Sequence, residues 1–320
     1  MTEKINTQSA VLASEQIQQF NSLIDTMTNL QKSWLSGYLL GLAEEKSSKN
    51  NLNTIEENSL LQQTPQKTTK QYNANSPFST TIDTKQKITG RDSQQQVYHL
   101  ELSIEDSGIS YQLGDSVTLS INDNVTEHFI ASSQNEVDDE IHCTLLLDDT
   151  NPNDSINEND DVQLYVNNND FSLPNNEDPI IMIADNIGIA PFRAFLQELD
   201  SQKRTNKTWL LFESQVFTQD FLYQVEWQDY LKKGILNKME VAFSSETIEP
   251  RTVKKQLSLM EKELLCWINN GAHIYICGET AKRTLHINEQ LSTLLEKQNI
   301  TTEKLIKEQR YHLKSADFTD

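Results

Sequence analysis

The stretch that most constrains this chain runs from Pro179 to Arg193, PIIMIADNIGIAPFR, where an apolar run breaks into a short polar turn before a proline opens a helix signal. The apolar residues Ile180 to Ile183 suit a strand buried on both faces, and the fixed φ of Pro191 suits a first helical position. A strand, a turn and a helix in that order put the turn at the carboxyl edge of a parallel sheet, where bare helix amides receive phosphate-bearing ligands. Downstream the alternation continues through KTWLLFES, the amphipathic DFLYQVEWQDYLKK, KMEVAFSS, a long helix around Val253 to Asn269, AHIYICGE and a last helix from Ala281 to Gln298. Residues 174–320 therefore read as a doubly wound parallel α/β domain.

The preceding segments follow other rhythms. Over residues 78–173 the pieces STTIDTKQKITG, QQVYHLELS, DSVTLSI, EIHCTLLL and DVQLYV cluster β-branched and aromatic residues between turn signals, as short strands do. Residues 44–77 are rich in Ser, Asn, Gln, Thr and Lys, which is the composition of a disordered linker. Within residues 1–43, Ile17, Phe20, Ile24, Met27, Leu30, Trp34 and Tyr38 recur every three or four positions, an apolar stripe on one or two short helices. That stripe either folds back on the main body or serves as a docking or oligomerisation element, with Trp34, Tyr38 and Leu39 as its contact residues.

Charge narrows the classes of partner. The formal net charge is -20, which repels nucleic acid and anionic membrane surfaces. Between Arg91 and Arg193 there is no Lys or Arg, against about twenty Asp and Glu. A pyrophosphate must be met by cations, helix amides or a nest of backbone N–H groups, so this interval carries the wrong sign unless a site lies among its amides. Cys143, Cys266 and Cys277 form no C-x-x-C pair, and neither these nor the histidines have a spacing that marks a metal site. With no signal-peptide pattern at Met1 to Asn6 and no apolar run near the roughly 20 residues that span a bilayer, the expected location is cytoplasmic.

Several blocks carry a family resemblance. GIAPFRAF, FTQDFLYQVEWQDYLKKGIL, WINNGAHIYICG and RYH resemble the NADPH-binding half of ferredoxin–NADP reductase-type diflavin enzymes, the NADPH–sulfite reductase flavoproteins among them. SWLSGYLLGL near the start and QKITGRDSQQQVYHLELSIEDSGISYQLGDSV in the middle agree with the same family. The resemblance implies a truncated FAD-type antiparallel β-barrel over residues 78–173, followed by an NADP-binding-like α/β domain. It implies that the linker stands where the family carries its FMN domain, and that the helical insertion beyond Asn122 is absent. FAD and NADPH are the implied cofactors. The implied partner of the N-terminal helices is the sulfite reductase haemoprotein or a second copy of the chain.

Residue by residue, the implied sites depart from the family pattern. Thr126, His128 and Phe129 stand at the Arg, Tyr and Ser positions of the flavin motif, and the acidic run Asp148 to Asp161 replaces the pyrophosphate-binding turn. The NADPH turn, Gly-Pro-Gly-Thr-Gly in the family, is Ala184 to Gly188 here, with only the last glycine kept. What remains for a cofactor is Gly188, Ile189, Ala190, Ser244, Arg251, Lys254 and Gly278, and for the hydride-transfer site Cys277 and Glu279. Arg251, Lys254 and Lys255 read equally well as the first turn of a surface helix, and Cys277 as core. Asp185 is expected to turn its carboxylate onto the bare amides that a cofactor phosphate would otherwise occupy. Two functions follow. One is a degenerate, cofactor-poor module that binds protein; the other is an active NADPH-dependent flavoprotein oxidoreductase passing electrons through FAD to a haemoprotein or other acceptor.

Overall fold

A computed structural model describes residues 72–121, 124–137, 139–147, 156–245 and 251–316, all within one compact unit. Trp34, Tyr38 and Leu39, the linker up to residue 71 and the start of the acidic run lie outside the described residues. Among the described residues, no helix is long and apolar enough to cross a membrane.

The strands β1 (Phe78–Lys87), β2 (Gln96–Ser103), β3 (Ser116–Ile121), β4 (Asn124–Phe129), β5 (Glu140–Leu147) and β6 (Asp161–Asn167) form one antiparallel sheet, in the order β4-β3-β6-β1-β2-β5. A bridge between Ile130 and Cys143, and a 2.7 Å bond from the Ala131 N–H to the His142 carbonyl, draw the two edge strands together. The sheet is thus a nearly closed barrel. Period-2 alternation fills it, with Ile82, Leu100, Leu102, Val117, Leu119, Ile141 and Leu164 turned inward. Strand β4 escapes a sequence reading because NVTEHF carries little apolar signal.

The second sheet is parallel throughout. It contains β7 (Ile180–Asp185), β8 (Thr208–Ser214), β9 (Lys238–Phe243), β10 (His273–Gly278) and β11 (Tyr311–Ser315), in the order β11-β10-β7-β8-β9. Every residue of β7 and β10 is buried, as a sheet covered on both faces requires. Alternate side chains go to opposite cores. Met182, Ala184, Leu210, Phe212, Tyr275 and Cys277 face one side, and Ile181, Ile183, Trp209, Leu211, Ile274 and Ile276 the other.

The covering helices are α1 (Ala190–Ser201), α2 (Phe217–Asp220), α3 (Gln224–Lys233), α4 (Val253–Leu259), α5 (Glu261–Asn269), α6 (Ala281–Glu296) and α7 (Thr302–Lys307). Two differ from the sequence reading. The single long helix from Val253 to Asn269 is two, broken at Met260 (φ -102°, ψ 9°), where neither Gly nor Pro marks the break. The amphipathic run after Asp220 becomes a long helix only at Gln224, because Tyr223 sits in the left-handed region at φ 55°. Its hydroxyl is held by His99 Nδ1 (3.0 Å) and Thr144 Oγ1 (2.6 Å) on the barrel. Tertiary bonds thus override the local helix preference.

One core joins the two sheets. Phe129 and Phe171 come from the barrel side, and Phe192, Phe195 and Tyr275 from the α/β side; Phe171 lies 5.3–6.0 Å from the other four rings. The same contact explains why α1 is buried from Ala190 to Leu199 even at polar positions. Arg193 donates to the Ala131 carbonyl (2.8 Å) and to Glu226 (2.7 Å), Gln197 accepts from the Ser133 N–H (2.9 Å), and Glu198 accepts from the Ser133 hydroxyl. Phe171→Ala is expected to destabilise the fold by about 3–5 kcal/mol, the range for truncating a buried aromatic. In urea the variant should show one shifted transition; separate transitions for barrel and α/β sheet would contradict a shared core.

Candidate functional site

In the parallel sheet the chain reverses its direction of winding between β7 and β10, which are neighbours although two strands intervene in sequence. Ligands of open α/β sheets bind in the crevice beyond the carboxyl ends of such a pair. Here β7 ends at Asp185 and passes into a 3-10 turn, Asn186–Ile189, which leads directly into α1. Asn186 takes φ 47°, a conformation Asn tolerates better than most residues. A left-handed residue is therefore still present where the family places a glycine.

Gly188 is kept for a packing reason. A Cβ at this position would lie 2.3 Å from the Cys277 carbonyl oxygen at the end of β10, so only glycine lets the turn approach that strand. Gly278 is constrained likewise, a Cβ there falling 2.7 Å from the Thr284 hydroxyl, which accepts the Gly278 N–H (3.0 Å). Cys277 is wholly buried in the core shared with the barrel.

Side chains of the protein pair with one another at the mouth of this crevice. The Asn186 amide donates to Glu279 Oε2 (2.7 Å) and to Gln95 Oε1 (2.9 Å), and Gln95 belongs to the barrel segment that leads into β2. Asp185, whose side chain is 2% exposed, accepts from Arg283 Nη2 on α6 (2.7 Å) and from Arg283 Nε. Asp185 makes no side-chain bond to the amides of its own turn, so the expectation that its carboxylate takes the place of a phosphate there is wrong. A guanidinium within bidentate reach is the stronger partner for a buried carboxylate. A different acid, Glu213 at the end of β8, accepts the Val253 N–H at the start of α4 and lies 3.9 Å from Arg283. Burial and the neighbouring Asp185 push the Glu213 carboxyl up, while the hydrogen bond to Asp185 holds Arg283 more firmly protonated.

The structure thus gathers Gly188, Ile189, Ala190, Cys277, Gly278 and Glu279 around one strand-end crevice, all buried except the half-buried Glu279. Ser244, Arg251 and Lys254 belong instead to the neighbourhood of β9 and α4. The Ser244 hydroxyl donates to the Ser214 carbonyl (3.2 Å). Lys254 lines a cleft of about 1160 Å³ between α4 and α6, together with Thr252, Thr280, Lys282, Arg283 and His286, with Asp185, Glu213 and Glu289 among its acids. On the barrel, Thr126 and His128 bond to each other (2.8 Å), Glu127 accepts from the Ser116 hydroxyl, and Phe129 is buried against Phe171.

Sequence reading missed Gln95 and Arg283 because their roles depend on which loop meets which strand end. It missed as well that His99, Glu101 and His142 come together. Residues 99 and 101 share a strand face by simple alternation, but His142 joins them only through the β2–β5 register.

Residues 182–283 match a family model described as an oxidoreductase NAD-binding domain. The chain is similar to proteins named sulfite reductase (NADPH) flavoprotein alpha-component. It is 29% identical to those of Vibrio parahaemolyticus and Aliivibrio fischeri, over 71% of this chain and 55% and 57% of the relatives. It is 28% identical to that of Escherichia coli, over 70% of this chain and 57% of the relative. The chain therefore spans little more than half the length of these relatives. The Vibrio parahaemolyticus alignment runs over 344 residues, more than the 320 of this chain, so the relative holds internal stretches that this chain lacks. With its barrel, its parallel sheet and the matched NAD-binding region, this chain is similar to the NADPH–sulfite reductase flavoprotein alpha-components over about 70% of its own length.

Proposed function

We propose that the chain is a degenerate, cofactor-poor relative of the sulfite reductase flavoprotein that works by binding protein, either a sulfite reductase haemoprotein or a second copy of itself. The observation that carries this reading is that the polar groups around the turn are already paired with one another. Where a dinucleotide's pyrophosphate needs open amides and uncommitted cations, Asn186 is bonded to Gln95 and Glu279, and Arg283 is bonded to Asp185. The barrel adds no cation from Asp92 to Phe192, and the flavin-motif positions Thr126, His128 and Phe129 are engaged with neighbours. These residues do not fit FAD or NADPH held in the family's manner. The N-terminal apolar stripe supplies the docking element, with Trp34, Tyr38 and Leu39 as its contact residues.

A second reading rests on the cleft between α4 and α6, whose Lys254 and Lys282 offer positive charge near the strand ends. It is an active NADPH-dependent flavoprotein oxidoreductase in which Cys277 and Glu279 keep the family's positions.

Spectra and titrations separate the two. Purified full-length chain is expected to be colourless, and neither FAD nor NADPH should give saturable binding by fluorescence; a flavin band with stoichiometric FAD would overturn the degenerate reading. In the full chain, Trp34→Ala combined with Tyr38→Ala is expected to abolish co-purification with a sulfite reductase haemoprotein or self-association; retention of both would remove the docking role. Arg283→Met leaves Asp185 buried without its cation. It should destabilise the fold by about 2–3 kcal/mol, less than for a fully buried pair because Arg283 is half exposed. Unchanged stability in a urea titration would mean that Arg283 is held ready for a ligand instead.

A further inference from the structure

On the outer face of the barrel, three side chains of metal-ligating type converge. His99 and Glu101 stand two apart on β2, and the register sets Glu101 directly across from His142 on β5 and His99 across from Thr144. One donor atom from each of His99, Glu101 and His142 lies within 4.8 Å of the others, and His99 Nε2 is 3.4 Å from Glu101 Oε1. We propose that His99, Glu101 and His142 bind a divalent transition ion of the zinc class, clamping β2 to β5.

The orientation of each imidazole supports this. His99 Nδ1 is held by the Tyr223 hydroxyl (3.0 Å), which is itself bonded to Thr144 (2.6 Å), so Nε2 is the nitrogen turned toward Glu101. His142 Nε2 is held by Glu140 (2.9 Å), which leaves Nδ1 as donor. That Nδ1 is buried and has no hydrogen-bond partner among the described residues. A histidine whose second nitrogen is fixed by a carboxylate or hydroxyl while the first is left bare is the usual arrangement around a bound metal. Both histidines are more than nine-tenths buried.

Chemistry then selects the ion. Two imidazoles and one carboxylate suit zinc and its neighbours better than calcium or magnesium, which prefer oxygen throughout. Bonds of about 2.1 Å place ligands about 3.4 Å apart around a four-coordinate centre, so small rotamer shifts close the present spacing. Glu101 and Glu140 keep 32% and 44% of their side chains exposed, which gives the ion a route from solvent. Arg193 is the nearby positive group; it lies over the Tyr223 ring and is paired with Glu226, so the two glutamates set the local sign.

The test uses tagless full-length chain carrying Cys266→Ser, because that thiol is exposed, with Co²⁺ as a visible probe after chelator treatment. One Co²⁺ per chain is expected, with the d–d absorption of a four-coordinate ion that Zn²⁺ displaces. His99→Gln, His142→Gln and Glu101→Gln should each abolish the band. Glu140→Gln should weaken binding about 10- to 100-fold, as loss of the group that orients a ligating histidine does, and His286→Gln should leave it unchanged. Far-UV circular dichroism reports folding; if a histidine variant fails to fold, Glu101→Gln alone decides the matter. No Co²⁺ uptake by the starting chain, or a band that survives in Glu101→Gln, would overturn the site.

Discussion

At the carboxyl ends of β7 and β10 one backbone lies directly on another. Because nothing larger than a hydrogen fits between the Gly188 Cα and the Cys277 carbonyl, the turn after β7 is pressed into the end of β10. The helix that follows is aimed at the barrel. From this approach come the burial of α1, the aromatic core around Phe171 and the position of Asn186 at the mouth of the crevice. Gly188 thus permits the close approach of turn and strand for which glycines are used in such turns.

On the proposed degenerate reading, the same geometry lets a reductase-like frame stand without a bound dinucleotide. A dinucleotide contributes charge that the surrounding protein must balance, and a chain without it must satisfy those groups internally. Asp185 and Arg283 satisfy each other, Glu213 takes the Val253 amide, and Asn186 spans Gln95 and Glu279. Each of these bonds links separate elements, and the Gln95 bond links the two sheets. The Gln95 bond makes the mouth of the crevice a joint between barrel and α/β sheet.

Much of the frame was legible because apolar runs in a parallel sheet are long and doubly buried. IIMIAD, TWLLFES and HIYICG fall on β7, β8 and β10 nearly to the residue. What escaped reading depended on partners distant in sequence. Met260 breaks a helix without a breaker residue, Tyr223 leaves the helical region for bonds to the barrel, and the polar NVTEHF becomes a strand beside β3. At the site, sequence identified the lost glycines but sent Asp185 to the wrong partner, because Arg283 lies 98 residues away. The cluster of His99, Glu101 and His142 was hidden for the same reason, since cross-strand register is not written in spacing along one strand.

The central claim is that the turn Asn186–Ile189 is sealed by the protein's own side chains. Amide hydrogen exchange of these residues, measured with and without saturating NADP⁺, tests this most directly. The account predicts slow exchange that the nucleotide leaves unchanged. Fast exchange in the free chain that slows when NADP⁺ is added would show an open phosphate site and contradict it.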